Sequence, residues 1–287
     1  MRLQQYKTGI FSFIIVLLFM PIGHALMVLN QQLLLDYKYT GAFCIGLLGV
    51  IALRSGFSVD KKKSTATLLG LLAGILVWTG WIEFSFVWIA EKIGTLPLTE
   101  NGTVVTKPEY LIMPSSLGLL GTFFLFYVFS YNKCQFFNWI QKQIGIKKSL
   151  KSKEKSKPIA LVTFIETIMI LWTFYLVLLT VYDSDIAGDK HPVTYITAFG
   201  SLLWSAYLIR TLVKIKKFDY AIRYAVPTVI IFWNFVEILG RWNVFKEIWI
   251  HPMEFWLELS LLTFVLITCI GYYFVSSYYV KTKFLVK

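Results

Sequence analysis

Long apolar segments are the feature that most limits what this chain can fold into. A helix needs roughly 20 consecutive apolar residues to cross the hydrocarbon core of a bilayer, and several stretches reach that length. Charged residues make up only 15% of the chain, against about a quarter in soluble domains. We predict an all-α integral membrane protein, a polytopic bundle of about eight transmembrane helices. The predicted helices are 9–29, 37–53, 65–91, 110–131, 158–182, 192–213, 224–241 and 253–280.

Lysine and arginine residues indicate which loops face the cytoplasm. If the N-terminus is cytoplasmic, the inner segments hold 22 of the 28 basic residues, a bias typical of cytoplasmic loops. It predicts a protein of the cytoplasmic (inner) membrane with both termini in the cytoplasm and the helices arranged as four hairpins. The net charge of +12 is explained by these loops, so we expect no nucleic-acid partner. The inner segments are 1–8, 54–64, 132–157, 210–223 and 281–287.

The longest inner loop, 132–157, divides the single membrane domain 1–287 into helices 1–4 (1–131) and helices 5–8 (158–287). One alternative concerns the first helix, because Gly23-His24-Ala25 follows a basic start and an apolar run, as at a signal-peptide cleavage site. Apolar residues continue through Leu29, which favours a retained helix.

Acidic residues and histidines collect on the predicted outer side. Twelve of the 16 acidic residues and all three histidines lie in the outer half or the outer loops. Aspartate and glutamate contribute little to topology, so this asymmetry is a partly independent indication of a functional surface. Repulsion from the negative inner leaflet accounts for some of it.

Several ionisable residues fall inside predicted spans, where burying a charge costs several kcal/mol unless a partner or water compensates. Glu83 lies well inside the third helix, and Glu166 stands alone in the inner half of the fifth. Asn234, Glu237 and Arg241 have the spacing of residues that share one helix face. The structural alternative for Glu237 and Arg241 is an intrahelical ion pair.

Histidine and carboxylate side chains together suit a transition metal such as iron, copper or zinc. His251, Glu254 and Glu258 have the spacing of one helix face at the start of the last predicted helix, and His24 follows Pro21 at the end of the first. The predicted metal ligands are His24, His191, His251, Glu254 and Glu258, and the predicted catalytic residues are Glu83, Glu237 and Arg241.

Three classes of function remain open. The residue types favour a metal-dependent membrane enzyme, an oxidoreductase or a hydrolase, with its polar site open to the outer side. The second class is a cation- or proton-coupled transporter or channel that uses the intramembrane glutamates. The third is an accessory or assembly subunit of a membrane complex. The expected partners are the lipid bilayer, a small or lipophilic substrate entering from the outer leaflet, and another membrane protein.

Overall fold

A computed structural model describes residues 2–100, 103–129, 142–143 and 158–285. A π-helical segment, Trp78–Glu83, joins the third helix to the fourth. Two 3-10 turns occupy Leu35–Tyr37 and Met113–Ser116, and an antiparallel hairpin is formed by β1 (Leu98–Glu100) and β2 (Thr103–Thr106). The α-helices are α1 (Arg2–Leu34), α2 (Lys38–Ser58), α3 (Lys63–Val77), α4 (Phe84–Ile93), α5 (Pro108–Ile112), α6 (Leu117–Phe129), α7 (Ile159–Tyr182), α8 (Pro192–Leu212), α9 (Phe218–Arg241) and α10 (Trp256–Leu285).

Seven helical stretches of the described chain are long and apolar enough to cross a membrane, as an all-α membrane bundle requires. The first of them, Lys7–Ser58, contains both the first and the second predicted spans. Most of the predicted loop 132–157 and the last two residues of the predicted helix 110–131 lie outside the described residues. The seven stretches are Lys7–Ser58, Lys63–Ile93, Pro108–Phe129, Ile159–Tyr182, Pro192–Leu212, Phe218–Arg241 and Trp256–Val275.

The long first stretch is interrupted between α1 and α2. Leu35 has a φ of +34°, which is uncommon for a residue other than glycine. The Asn30 side chain spans the interruption, because its Nδ2 donates a 2.8 Å hydrogen bond to the carbonyl oxygen of Lys38. The chain therefore leaves regular α-helical geometry at this one place within the stretch.

The helices pack into two compact units. The first unit combines Met1–Lys38 with Leu203–Lys287, and within it α1 packs against α9 and α10. The second unit is Tyr39–Leu202. The division of 1–287 into four-helix halves at 132–157 stays a prediction, and the packing groups α1 with the C-terminal helices.

Small residues bring the backbones of α2 and α3 close together in the second unit. Gly49 lies against Val77, and Gly56 lies nearer the start of α3, against Leu69, so the two helices are antiparallel. Such residues allow membrane helices to approach closely, where packing replaces the hydrophobic effect. The buried residues of α2 are all of this kind: Ala42, Gly46, Gly49, Ala52 and Gly56.

Helices α3 and α7 run parallel along an extensive contact. Gly70 faces Ala160 and Gly74 faces Thr167, so both helices progress in the same direction. At the start of α7, the Ile159 N–H donates a 2.8 Å hydrogen bond to Asp60 Oδ1. This bond satisfies one of the backbone donors that the first turn of a helix leaves free.

Gly70→Ala is expected to destabilise the protein, because the added methyl group would overlap the backbone carbonyl of Ala160. Overpacking of this kind costs about 1–3 kcal/mol, more than the gain of about 1 kcal/mol in helix propensity. Gly121→Ala is the matched control, since open space surrounds that position in α6. Thermal unfolding in detergent should show a lower midpoint for Gly70→Ala only. Equal midpoints for the two variants would contradict the packing described here.

Candidate functional site

Glu83 is the most deeply buried carboxylate in a candidate membrane span, with 2% of its surface exposed. Its Oε1 accepts a 3.2 Å hydrogen bond from the Tyr110 hydroxyl group, and the Tyr175 phenol is a second neighbouring polar group. Glu83 has no ion-pair partner among the described residues. The structure therefore places this predicted catalytic residue beside two phenol groups.

The π-helical segment Trp78–Glu83 determines where Glu83 lies. One added residue per turn shifts the helix register, and Glu83 is the last residue of the segment. Gly80 lies against the backbone of Gly46, too close for any larger side chain. The Trp81 indole N–H donates a 3.1 Å hydrogen bond to the Phe43 carbonyl oxygen of α2. These contacts fix the segment against α2.

Aromatic rings surround the phenol groups that contact Glu83. The Tyr175 ring centroid lies 6.1 Å from that of Tyr110 and 5.4 Å from that of Trp78. Trp78 also meets Trp172 edge-on, and the Trp172 indole N–H donates a 2.9 Å hydrogen bond to Ser116 Oγ. Aromatic rings therefore enclose Glu83 beside the phenol hydroxyl groups, and the charges of Lys107 and Glu109 also act on it.

Two further carboxylates are buried in the same unit. Glu109 is 5% exposed at the second position of α5, and Glu166 is 3% exposed in α7. Tyr175 lies nine positions after Glu166 in α7, which corresponds to a distance of about 14 Å along the helix axis. Glu109 belongs to the acidic residues of the predicted outer side but was not predicted as a site residue. Its burial depends on the packing of α5 against α4, which the sequence does not reveal.

Glu237 and Arg241 lie on α9 in the other unit, as expected from the sequence. The Trp233 indole N–H donates a 2.6 Å hydrogen bond to Glu237 Oε1 within the helix. Asn234 is 2% exposed, and its Nδ2 makes no hydrogen bond with the described residues. Part of this polar helix face therefore points into the protein.

Glu247 is a half-buried acid that was not selected from the sequence. Its carboxyl group lies directly on Gly240, where any Cβ atom would overlap it. Burial raises the pKa of Glu247 to about 6, against the lowering effects of the Trp249 indole and the Arg241 guanidinium group. The sequence signal was the glycine beside Arg241, which leaves room for a returning loop.

The three histidines occupy separate environments. His24 is half-buried in α1, beside Ala25 of an apolar cluster with Trp233 and Trp249. His191 is exposed, and its Nδ1 accepts a 3.3 Å hydrogen bond from the Val193 N–H at the start of α8. His24 and His251 belong to the first unit and His191 to the second.

The prediction that His251, Glu254 and Glu258 share one helix face is wrong. Helix α10 begins at Trp256, so only Glu258 is helical. The preceding turn is closed by hydrogen bonds to the His251 carbonyl oxygen. Glu254 forms an exposed ion pair with Lys246, with Nζ and Oε1 2.6 Å apart.

The predicted metal ligands do not form a cluster. Across residues 2–100, 103–129, 142–143 and 158–285, no three histidine, cysteine, aspartate or glutamate side chains are arranged to hold a metal ion. The structure thus gives no support to the predicted transition metal, and the enzyme remains a prediction from the sequence.

No protein-family model matches the chain, and no curated protein or solved structure is significantly similar to it.

Protonation of Glu247 should make stability depend on pH. Between pH about 4.5 and about 6 the folded protein holds more protons at this residue than the unfolded chain, so the free energy of unfolding falls as pH rises through this window. We expect a loss on the order of 1 kcal/mol, after allowance for partial exposure. Glu247→Gln should abolish this component, and the exposed control Glu258→Gln should retain it. Unfolding followed at several pH values would contradict the assignment if both variants kept the wild-type dependence.

Proposed function

We propose that this chain is a cation- or proton-coupled transporter of the cytoplasmic membrane, with eight transmembrane helices and both termini in the cytoplasm. The length of Lys7–Ser58 supports two crossings, because 52 helical residues rise about 78 Å and a bilayer core is about 30 Å thick. The interruption at Leu35–Tyr37 supplies the point at which one crossing ends.

Helix directions in the second unit support the same topology. Eight crossings from a cytoplasmic N-terminus make α2 and α3 antiparallel and α3 and α7 parallel. The contacts of Gly49, Gly70 and Gly74 have these directions. The distribution of basic residues then assigns the start of α3 and α7 to the cytoplasmic side.

The topology predicts opposite labelling of two exposed loop positions in intact bacterial cells. With the native cysteines replaced, Lys190→Cys should react with a membrane-impermeant maleimide added outside. Lys61→Cys should react only after the membrane is permeabilised, because it lies in a predicted inner loop. Labelling of Lys61→Cys from outside, or protection of Lys190→Cys, would contradict the proposed orientation.

Transport is supported above all by the burial of Glu83 without an ion-pair partner in the described part of the chain. An ionised carboxylate costs several kcal/mol in an apolar environment, so such groups in membrane spans commonly bind a proton or a cation. The hydroxyl group of Tyr110 stabilises either form, since a phenol can donate or accept a hydrogen bond.

Glu166 supplies a second buried carboxylate closer to the cytoplasmic side. It lies on the helix that carries Tyr175, and α3 packs along that helix. Glu83 and Glu166 could therefore bind the same ion at successive depths. The π-helical segment beside Glu83 adds a local departure from α-helical geometry, a feature that recurs at functional sites.

The test is cation-proton exchange in proteoliposomes that contain the full chain and an internal pH-sensitive dye. A pH gradient is imposed across the vesicle membrane, and NaCl, KCl or MgCl₂ is then added. For at least one of these salts, the gradient should collapse about tenfold or more faster than in protein-free vesicles. Glu83→Gln should reduce the rate to that of protein-free vesicles. Glu258→Gln should keep the wild-type rate, because Glu258 is exposed and lies in the other unit.

Two results would reject the proposal. Wild-type rates equal to those of protein-free vesicles for all three salts would reject cation-proton exchange. A wild-type rate in Glu83→Gln would reject Glu83 as the ion-binding residue. Circular dichroism and gel filtration of each variant control for loss of the fold.

A further inference from the structure

Glu109 is a buried carboxylate for which the described residues offer no hydrogen bond and no ion pair. It follows Pro108 in the first turn of α5, and 5% of its surface is exposed. Its carboxylate oxygens are not among the fully enclosed polar atoms of the described chain that lack a partner, so they reach the protein surface. A carboxylate in this position touches water on one side and the interior on the other.

The position of Glu109 connects an exposed acid with a buried one. Helix α5 packs against α4, and α4 carries Glu91 at its outer end. The exposed Glu91 carboxylate accepts a hydrogen bond from the Tyr39 hydroxyl group. On the other side, the residue next to Glu109 is Tyr110, which donates a hydrogen bond to Glu83.

The electrostatics agree with this packing of α5 on α4, because the charge of Glu109 acts on both Tyr39 and Glu83. Lys107, two residues before Glu109, acts on Glu83 with the opposite sign. The Lys107 side chain is half-buried.

We propose that Glu109 carries protons between water at the outer surface and Glu83. This inference rests on the proposed function, because it gives Glu83 its route of proton exchange. Glu109 takes a proton from water and becomes neutral. It then returns to the carboxylate form as the Glu83 carboxylate takes up a proton, so the total charge of the two residues is unchanged by the transfer.

The route is tested by the rate at which Glu83 is protonated in the full chain in lipid nanodiscs. Infrared absorption after a jump from pH about 8 to about 5 follows the carboxyl C=O band, which is assigned to Glu83 by its loss in Glu83→Gln. Glu109→Gln should slow the rise of this band roughly tenfold or more while leaving its final amplitude unchanged. Glu109→Asp keeps the carboxyl group and should remain within about threefold of wild type.

Two controls separate the route from general damage. Glu91→Gln changes an exposed residue that water can replace, so it should slow the band by less than about threefold. Glu258→Gln should leave the rate unchanged. A wild-type rate in Glu109→Gln would overturn the proposal.

A measurement on the intact chain decides the question even if Glu109→Gln does not fold. The two carboxyl bands, identified by their shifts in Glu83→Asp and Glu109→Asp, should rise in order in the wild-type protein. The Glu109 band is expected first, and the reverse order would overturn the route.

Failure of this route and failure of transport have different signatures. A slowed Glu83 band in Glu109→Gln, with no salt-driven collapse of the pH gradient in wild-type vesicles, would keep the route and reject cation-proton exchange. Salt-driven exchange that depends on Glu83, with an unchanged band rate in Glu109→Gln, would keep transport and reject Glu109 as the carrier.

Discussion

Close contact between helix backbones is the constraint on which the second unit depends. Glycines on α2 and α3 remove the side chains that would hold these helices and α7 apart. In a membrane, where lipid tails are as apolar as side chains, such contact supplies much of the energy of helix association. It also places the π-helical segment and Tyr175 beside each other, so the surroundings of Glu83 follow from residues that carry no polar group themselves.

The two units place a glutamate side chain in different environments. Glu83 is surrounded by phenol and indole rings and accepts a hydrogen bond from the Tyr110 hydroxyl group. Glu247 lies in the loop after α9, where its carboxyl group packs against Gly240 and has the guanidinium group of Arg241 as an electrostatic partner. The first environment is enclosed by aromatic rings, whereas the second ties a loop to a helix end. The same residue type thus acquires different surroundings from its neighbours.

Much of the helical framework could be predicted from the sequence, because apolar length and loop charge are local properties. The predicted helix 158–182 differs from α7 by one residue at its start. Glu83 could also be selected, since a glutamate inside an apolar stretch is visible without a structure. Its partner Tyr110 could not, because that residue reaches Glu83 only through the packing of α5 on α4.

The error in the predicted metal site has a local physical cause. The last helix was predicted to begin at residue 253, yet a turn closed on the His251 carbonyl oxygen delays it to Trp256. Helical spacing then no longer relates His251 to Glu258. Metal ligands can be inferred from helical spacing only if all of them lie in the same helix. Because the last helix begins later than predicted, this condition is not met.

The π-helical segment has a consequence for how this protein tolerates changes in length. A π-turn holds one residue more than an α-turn, so Trp78–Glu83 offsets everything after it by about 100° around the helix axis. Deleting a single residue there would turn α4 by that angle and direct the side chain of Glu83 away from Tyr110. The same deletion near the exposed end of α4 would shift far fewer contacts. Within this one apolar stretch, deletions are therefore expected to be harmful around Glu83 and better tolerated near the end of α4.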